Sequence, residues 1–277
     1  MSIRALIDLD IIKYQVGFAS QKQVYIKDAV DYTLSSHPEG TEVSECNTEA
    51  SEVIQMKIRD AAEHGYEKSY IRTDKIENVL HSVKLTLERI IKGAGATSST
   101  GYVSQGGGFR ALLTPDYKAN RKDTPKPILI PEIHDYLVKY HNAVVCTDIE
   151  ADDALGIEQC QSKNTIICTI DKDLDCIPGF HYNWNKMLKY YVTPEEALVN
   201  FWCQVLTGDT VDNIHGLKGI GPKKAQKILE STEAKDHKQT VLQAYLDAGR
   251  TEEEFNLNCR LIWILRKPLA ETYPEVV

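Results

Sequence analysis

The apolar positions fall into two kinds of pattern. Short, nearly continuous runs, IRALID (3–8), AVVCT (143–147) and TIICTI (165–170), read as strands buried on both faces, as in parallel sheets. Helical spacing governs residues 74–92, where Ile76, Val79, Leu80, Val83, Leu87, Ile90 and Ile91 form one stripe and predict an amphipathic helix. GAGATSST (93–100) ends that helix, GYVS (101–104) is a weak strand, and QGGG follows it. Thr114-Pro115 is an N-cap with a first-turn proline and predicts a short helix through YKANRK; Pro125 and Pro127 break the chain after it. A further helix is expected from about Pro131, and another over 151–162, which completes a βαβ unit. The capping box Thr193-Pro194-Glu195-Glu196 opens a helix to about Thr207. Residues 36–52 are polar and acidic and read as a loop or mobile insertion. No strand is predicted beyond residue 192, and there is no internal repeat. The expected layout is an α/β core over 1–192 and a helical part over 193–277.

Composition narrows the class without deciding it. The 277 residues are 42% hydrophobic and 26% charged, ordinary for a soluble globular chain. No apolar run approaches the roughly 18 residues that a membrane helix needs. An Asp at position 8 sets the N-terminus apart from a signal peptide. Seven cysteines, none spaced C-x-x-C, indicate neither a disulfide framework nor a zinc knuckle, and the expected setting is a reducing cytosol.

Charge changes the picture more. The net charge is −8, but residues 131–215 carry 14 acidic and 5 basic side chains. Residues 91–130 carry 6 basic and 2 acidic, and residues 216–230 carry 4 basic and 1 acidic. Solubility alone does not require an acidic centre between two basic segments. A centre that gathers divalent cations, flanked by surfaces that hold an anionic polymer, does.

The acids sit where chemistry is expected. Asp8 and Asp10 follow the first strand; Glu150, Asp152 and Asp153 follow AVVCT; Asp171, Asp173 and Asp175 follow TIICTI. Ligands of open parallel sheets bind beyond the carboxyl ends of the strands. Oxygen ligands without convergent His or Cys favour Mg²⁺ or Mn²⁺, and two such ions about 4 Å apart would clamp a phosphodiester displacement. Taken singly, each cluster reads rather as turn residues, helix caps or complements to a helix dipole; the three coinciding at strand ends favour the metal reading.

GDTVDNIHGLKGIGPKKA (208–225) is the most specific stretch. Asp209 and Asp212 stand at i, i+3 and share a face if that turn is helical. GLKGIGPKK reads as a tight hairpin, with Gly219 and Gly221 permitting close backbone approach and Pro222 opening a helix that bears Lys223, Lys224 and Lys227. Free N–H groups behind a Gly-rich turn, with lysines beside them, suit a phosphate backbone. The plainer alternative is a Gly-Pro turn with a solvated lysine face. In PDYKANRK, Lys118 and Arg121 share a helix face and Tyr117 is placed to stack on a base; Arg110 of GGGFR enlarges that basic patch.

The strand ending in Asp8, FRALLTPDYKANR, IEADDA, TIDKDLD and GDTVDNIHGLKGIGPKKA occur in the order shown by the flap endonuclease / 5′→3′ exonuclease family, which this chain resembles over residues 1–18 and roughly 101–230. The resemblance implies a parallel-sheet, PIN-like nuclease core, a helical arch or gateway near 90–130 and a helix-hairpin-helix element at about 200–230. It implies Mg²⁺-dependent hydrolysis of phosphodiesters at or near the 5′ end of a DNA duplex or flap, with Mn²⁺ as a substitute ion. Asp8, Glu150, Asp152, Asp153, Asp171, Asp173, Asp209 and Asp212 are its implied metal ligands. Lys118 and Arg121 are its implied gateway contacts to the scissile phosphate. The hairpin Gly216–Gly221 would bind duplex backbone with K⁺ on its carbonyls. The implied setting is a bacterial or phage-infected cytosol, with a monomeric enzyme and replication proteins as candidate partners.

One departure stands out. The family has an Asp in the strand before Phe-Arg; here the sequence reads VSQGGGFR, with no acid between Glu88 and Asp116. Ser104, Gln105 or Asp10 could fill that place; Asp10 shares a strand face with Asp8 if the strand continues, and otherwise caps the following helix. Residues 19–90 match no motif. The reading is a 5′→3′ exonuclease or flap endonuclease; a metal-dependent ribonuclease on a related core and a non-catalytic structure-specific DNA-binding protein are the alternatives.

Overall fold

The structure, a computed structural model, describes residues 2–27, 30–34, 43–45, 52–56, 68–122 and 124–272. In chain order its elements begin with β1 (Arg4–Asp8), α1 (Leu9–Ala19), β2 (Gln21–Lys27), β3 (Val30–Leu34), β4 (Val43–Glu45), β5 (Glu52–Met56), β6 (Lys68–Thr73) and α2 (Ile76–Ala94). Next come β7 (Ser98–Ser104), the single turn α3 (Arg110–Leu113), α4 (Ile130–His141), β8 (Val144–Cys146), α5 (Ala151–Gln161), β9 (Thr165–Cys168), β10 (Gly179–Asn183) and β11 (Leu188–Val192). The chain closes with α6 (Pro194–Thr207), β12 (Gly208–Asp209), β13 (Ile214–His215), α7 (Pro222–Glu230), α8 (His237–Asp247), α9 (Glu252–Ile262) and α10 (Leu269–Thr272).

The chain forms two compact units: residues 1–11, 89–124 and 141–277, and residues 12–88 and 125–140. The first holds a six-stranded sheet in the order β11-β10-β9-β1-β7-β8, parallel except for the β10–β11 pair. Its fold class is α/β, with residues 193–277 in the same unit as the sheet. β1 is central, and Ala5, Leu6 and Ile7 are buried, as both-faced burial of a parallel strand demands. Below the strand ends, Leu6, Tyr102, Leu155, Ile167, Leu174 and Ile264 form one core cluster. A second cluster, with Phe201, Val205, Tyr245 and Phe255 at its centre, packs the C-terminal helices. α6 starts at the expected capping box, where Thr193 Oγ1 accepts from Glu196 N at 3.1 Å and Glu196 accepts from Thr193 N at 2.8 Å.

The second unit holds a five-stranded antiparallel sheet, β4-β3-β2-β6-β5, in the part of the chain that matches no motif. Within it, Gly17 lets α1 approach Pro127, to which an added Cβ would come within 2.7 Å. The loop expected over 36–52 contains β4 and the first residue of β5; its remaining residues lie outside those described.

Three local expectations are corrected. Residues 114–122 do not form a helix but a turn and a 3-10 segment, Ala119–Arg121. Lys118 there is left-handed, φ 55° and ψ 19°, and its N–H donates to Asp212 O at 2.9 Å, so a tertiary contact breaks the helix. Strands do occur after residue 192, since β12 and β13 pair antiparallel. Asp209 and Asp212 therefore lie on a hairpin rather than a helical turn. Among the described residues no helix is long and apolar enough to cross a membrane. The stretch 90–130, where the resemblance implies an arch, holds the end of α2, β7, α3 and the 3-10 segment.

The glycines of the 208–221 stretch divide by environment. Gly208 has φ +71°, and an added Cβ would stand 2.2 Å from Gly216 N; a Cβ on Gly216 would stand 2.2 Å from Thr207 C. Gly221 has open space and an extended backbone, φ −94°. Gly216→Ala is expected to destabilise the fold by about 1–3 kcal/mol, and Gly221→Ala to stay within about 0.5 kcal/mol of the parent. Chemical denaturation of the two variants checks the contrast.

Candidate active site

The acids meet at the carboxyl edge of the six-stranded sheet, all within one unit. β1 ends at Asp8, whose Oδ1 accepts from Ile11 N at 3.3 Å and caps α1. Asp8 Oδ2 accepts from Thr169 Oγ1 at 2.9 Å, and that hydroxyl accepts from Asp171 N at 3.0 Å. Thr169 thus ties the end of β1 to the turn after β9. Asp171 Oδ1 accepts from Asp173 N at 2.9 Å, which starts the 3-10 segment Lys172–Cys176, and Gln204 of α6 donates to Asp173.

The electrostatics reveal two overlapping sets. Burial raises Asp8 to about 7, and Asp10 and Asp171 add to the rise. Asp152 is pushed well up by burial, then by Asp8, Asp171 and Glu150. Burial also raises Asp173 to about 7, with Asp171 and Asp209 contributing. Asp171 belongs to both sets. Asp212 is raised by burial against the opposing pull of Lys118 and Arg121. Each shift has the same source: carboxylates withdrawn from water and facing one another.

The YKANR segment fastens the two sets together. Tyr117 Oη donates to Glu150 Oε2 at 2.8 Å and stands 3.1 Å from Asp212 Oδ2. Lys118 Nζ pairs with Glu150 and lies 3.5 Å from Asp212 Oδ2; Arg121 pairs with Asp212 and donates to Val211 O at 3.0 Å. Asn120 Nδ2 donates to Thr210 O at 2.9 Å, and Asn213 Nδ2 to Asp116 O at 2.8 Å. Asp209 Oδ1 accepts from Val211 N at 2.8 Å.

Several sequence-based roles are corrected. Tyr117 is 8% exposed with its hydroxyl engaged, so it is not free to stack on a base. Arg110 is 3% exposed and pairs with Asp153, so it adds nothing to a surface patch. Asp153 is 0% exposed and accepts both Arg110 contacts, Glu150 N and Leu265 N, which leaves no edge for a cation. Asp10 neither shares a strand face with Asp8 nor caps α1, because β1 stops at Asp8 and Asp8 is the cap. Asp10 Oδ2 instead accepts from Ser104 N at 3.0 Å. Ser104 Oγ, at the place of the absent acid, accepts from Ala151 N at 2.8 Å and so serves the start of α5. Gly219 and Gly221, in the turn between β13 and α7, and Lys223 and Lys224, in the first turn of α7, are exposed. Sequence reasoning missed Thr169 and Gln204. Only the position of Thr169, two residues before Asp171, could have marked it.

No protein-family model matches the chain. It is 34% identical over 137 residues to DNA polymerase I of Caldicellulosiruptor bescii, a match covering 42% of this chain and 16% of that protein. It is 28% identical over 176 residues to the flap endonuclease Xni of Vibrio vulnificus, covering 56% of this chain and 67% of that one. The chain is thus similar to proteins named flap endonuclease and 5′-3′ exonuclease. It spans only 16% and 14% of the length of the two DNA polymerase I relatives, the second from Rhizobium leguminosarum. The flap endonuclease of bacteriophage T5, solved with DNA and metal ions, aligns with a TM-score of 0.51 at 18% identity over 68% of this chain and 80% of that one. This likeness shows the fold.

The raised carboxyls make stability depend on pH. In EDTA, folded Asp8 and Asp173 hold protons up to about 7, whereas unfolded they release them near 3.8. Between those values the folded state binds more protons, so the contribution of these groups is present at low pH and is lost as pH rises toward 7. The melting temperature in EDTA is expected to fall across that window, by about 2–4 °C per kcal/mol lost. Asp8→Asn should flatten the fall; an equal slope in parent and variant would exclude Asp8 as its source.

Proposed function

We propose that this protein is a divalent-cation-dependent 5′→3′ exonuclease or flap endonuclease that hydrolyses phosphodiester bonds at or near the 5′ end of duplex or flap DNA. The observation that carries the reading is the charge-deficient acid cluster around Asp171, with basic side chains on its rim. The names of the homologues support it, and they favour neither the ribonuclease nor the non-catalytic alternative.

Among the described residues no three His, Cys, Asp or Glu side chains close into a ready cage for an ion. The fit lies in donor chemistry and charge. The donors are oxygens, and the burial and mutual repulsion that lift Asp8, Asp152 and Asp173 are what a divalent cation offsets. Asp8, Asp152 and Asp171 would hold one Mg²⁺ or Mn²⁺, and Asp171, Asp173 and Asp209 a second. Tyr117 Oη contacts both Glu150 and Asp212, which would support these ligands. Bound cations would supply Lewis-acid polarisation of the phosphate and a more acidic water. Lys118 and Arg121 balance Glu150 and Asp212 in the structure, and would exchange those partners for phosphate oxygens when DNA and cations arrive. The turn Gly216–Gly221, with its exposed glycines Gly219 and Gly221, the first amides of α7 and Lys223 and Lys224, would hold duplex backbone, with K⁺ on its carbonyls. Removal of primers or degradation of strands in replication, as a cytosolic monomer, is the setting this activity suits.

Incubation of a 5′-labelled flap duplex with Mg²⁺ or EDTA, followed by product sizing, tests the reading. Cleavage is expected only with Mg²⁺. Asp152→Asn should lower the rate by more than the 10–100-fold typical of residues that merely orient ligands, with DNA affinity retained. A rate within tenfold of the parent would remove Asp152 from the machinery. The hairpin has its own test. Each phosphate contact contributes about 0.9 to the slope of log affinity against log salt, so replacing Lys223 and Lys224 by Ala should reduce that slope by roughly 2. An unchanged slope would return both lysines to a solvated face.

A further inference from the structure

Behind the acid cluster lies a buried ion pair whose donors are all engaged. Arg110 Nε donates to Leu261 O at 2.8 Å. Its Nη1 reaches Asp153 Oδ2 at 2.6 Å and Glu150 Oε2 at 3.2 Å; its Nη2 reaches Asp153 Oδ1 at 2.8 Å and Trp263 O at 2.5 Å. A guanidinium has five N–H groups, and five acceptors meet them. Asp153 in turn accepts from Glu150 N at 3.1 Å and from Leu265 N at 3.0 Å. The pair therefore joins the segment after α9 to the turn that carries Glu150 and Asp152.

The same segment reaches the other acid-bearing turn. Arg266 Nη2 donates to Cys176 O at 2.7 Å, the last residue of the 3-10 segment that carries Asp173. Ile264 packs in the core below the strand ends. Gly156 of α5 lets the segment lie flat on the helix, since an added Cβ would stand 2.4 Å from Leu265 O and 3.1 Å from Ile264 Cγ2. A buried ion pair adds little stability over apolar residues of the same volume. Its planar fork does fix geometry, because it fits only one arrangement of its acceptors.

We propose that Leu261–Arg266 is a positioning strap: clasped by Arg110 and Asp153 and fastened to Cys176 by Arg266, it sets the Glu150–Asp152 turn against the Lys172–Cys176 turn and thereby fits the acid cluster to its cations. Arg110, Asp153 and Arg266 act through the acids and not on the substrate. The proposal rests on the nuclease reading for its kinetic readout, while cation binding and melting stand apart from it.

Arg110→Lys keeps the charge and removes the fork. Mn²⁺ binding by calorimetry and kcat and KM on a 5′-labelled flap duplex are measured well below the melting temperature, which a separate thermal melt supplies. The expected result is cooperative melting, a KM for DNA within about threefold of the parent, and at least a tenfold loss in both Mn²⁺ affinity and kcat, as for residues that orient metal ligands. A folded Arg110→Lys protein with Mn²⁺ affinity and kcat within threefold of the parent would overturn the strap, because a merely structural pair would move only the melting temperature. If that variant does not melt cooperatively, Arg266→Gln, which leaves the buried pair intact, is read by the same thresholds. If the parent binds Mn²⁺ but cleaves no DNA, the nuclease reading falls and the Mn²⁺ arm still decides the strap.

Discussion

Carboxylates drawn together at the end of a sheet, partly out of water, repel one another, and the first unit is arranged around that repulsion. Asp8, Asp152 and Asp171 form one set, and Asp171, Asp173, Asp209 and Asp212 the other. Two kinds of cation answer them. Arg110 is buried and fixed, and by taking Asp153 it removes one acid from the cluster. Lys118 and Arg121 are partly exposed and balance Glu150 and Asp212 at the rim.

The arrangement explains why side chains with no place in the chemistry are so firmly tied. Thr169 joins Asp8 to Asp171, Gln204 holds Asp173, and Ser104 receives the first amide of α5. Acids that repel one another need to be held apart and in place, and neutral hydrogen bonds do this without altering the charge of the cluster. The glycines follow a similar division. Gly208 and Gly216 let two backbones touch, whereas Gly221 leaves a surface open.

Much of this was legible in the sequence. Continuous apolar runs marked β1 and β9, which are buried on both faces, and β8, which is instead an edge strand with Val144 exposed; acids at the three strand ends marked the candidate site. Arg110 and Asp153 were misread because their partners, Leu261, Trp263 and Leu265, are distant in sequence, and pairing across such a gap has no local signature. Tyr117 was misread for the same reason: a tyrosine beside lysine and arginine looks exposed until Glu150 and Asp212 close over its hydroxyl. The helix expected through YKANRK failed at Lys118, where a hydrogen bond to Asp212 O outweighed propensity. The five-stranded sheet escaped because its strands lie in a polar stretch where alternation is weak.

The central position of β1 has a consequence for how the protein comes into being. β1 is made first among the strands, yet Asp8 aligns with Tyr102 and Ile7 with Cys168, so its neighbours arrive much later in synthesis. Contacts of such long sequence separation slow folding. The strand that carries the first acid waits for β7 on one side and for β9 on the other, and a nascent chain stopped before Leu261 would lack the residues that Arg110 clasps. Assembly of the acid cluster is thus a late event in folding, one that an unfinished chain does not reach.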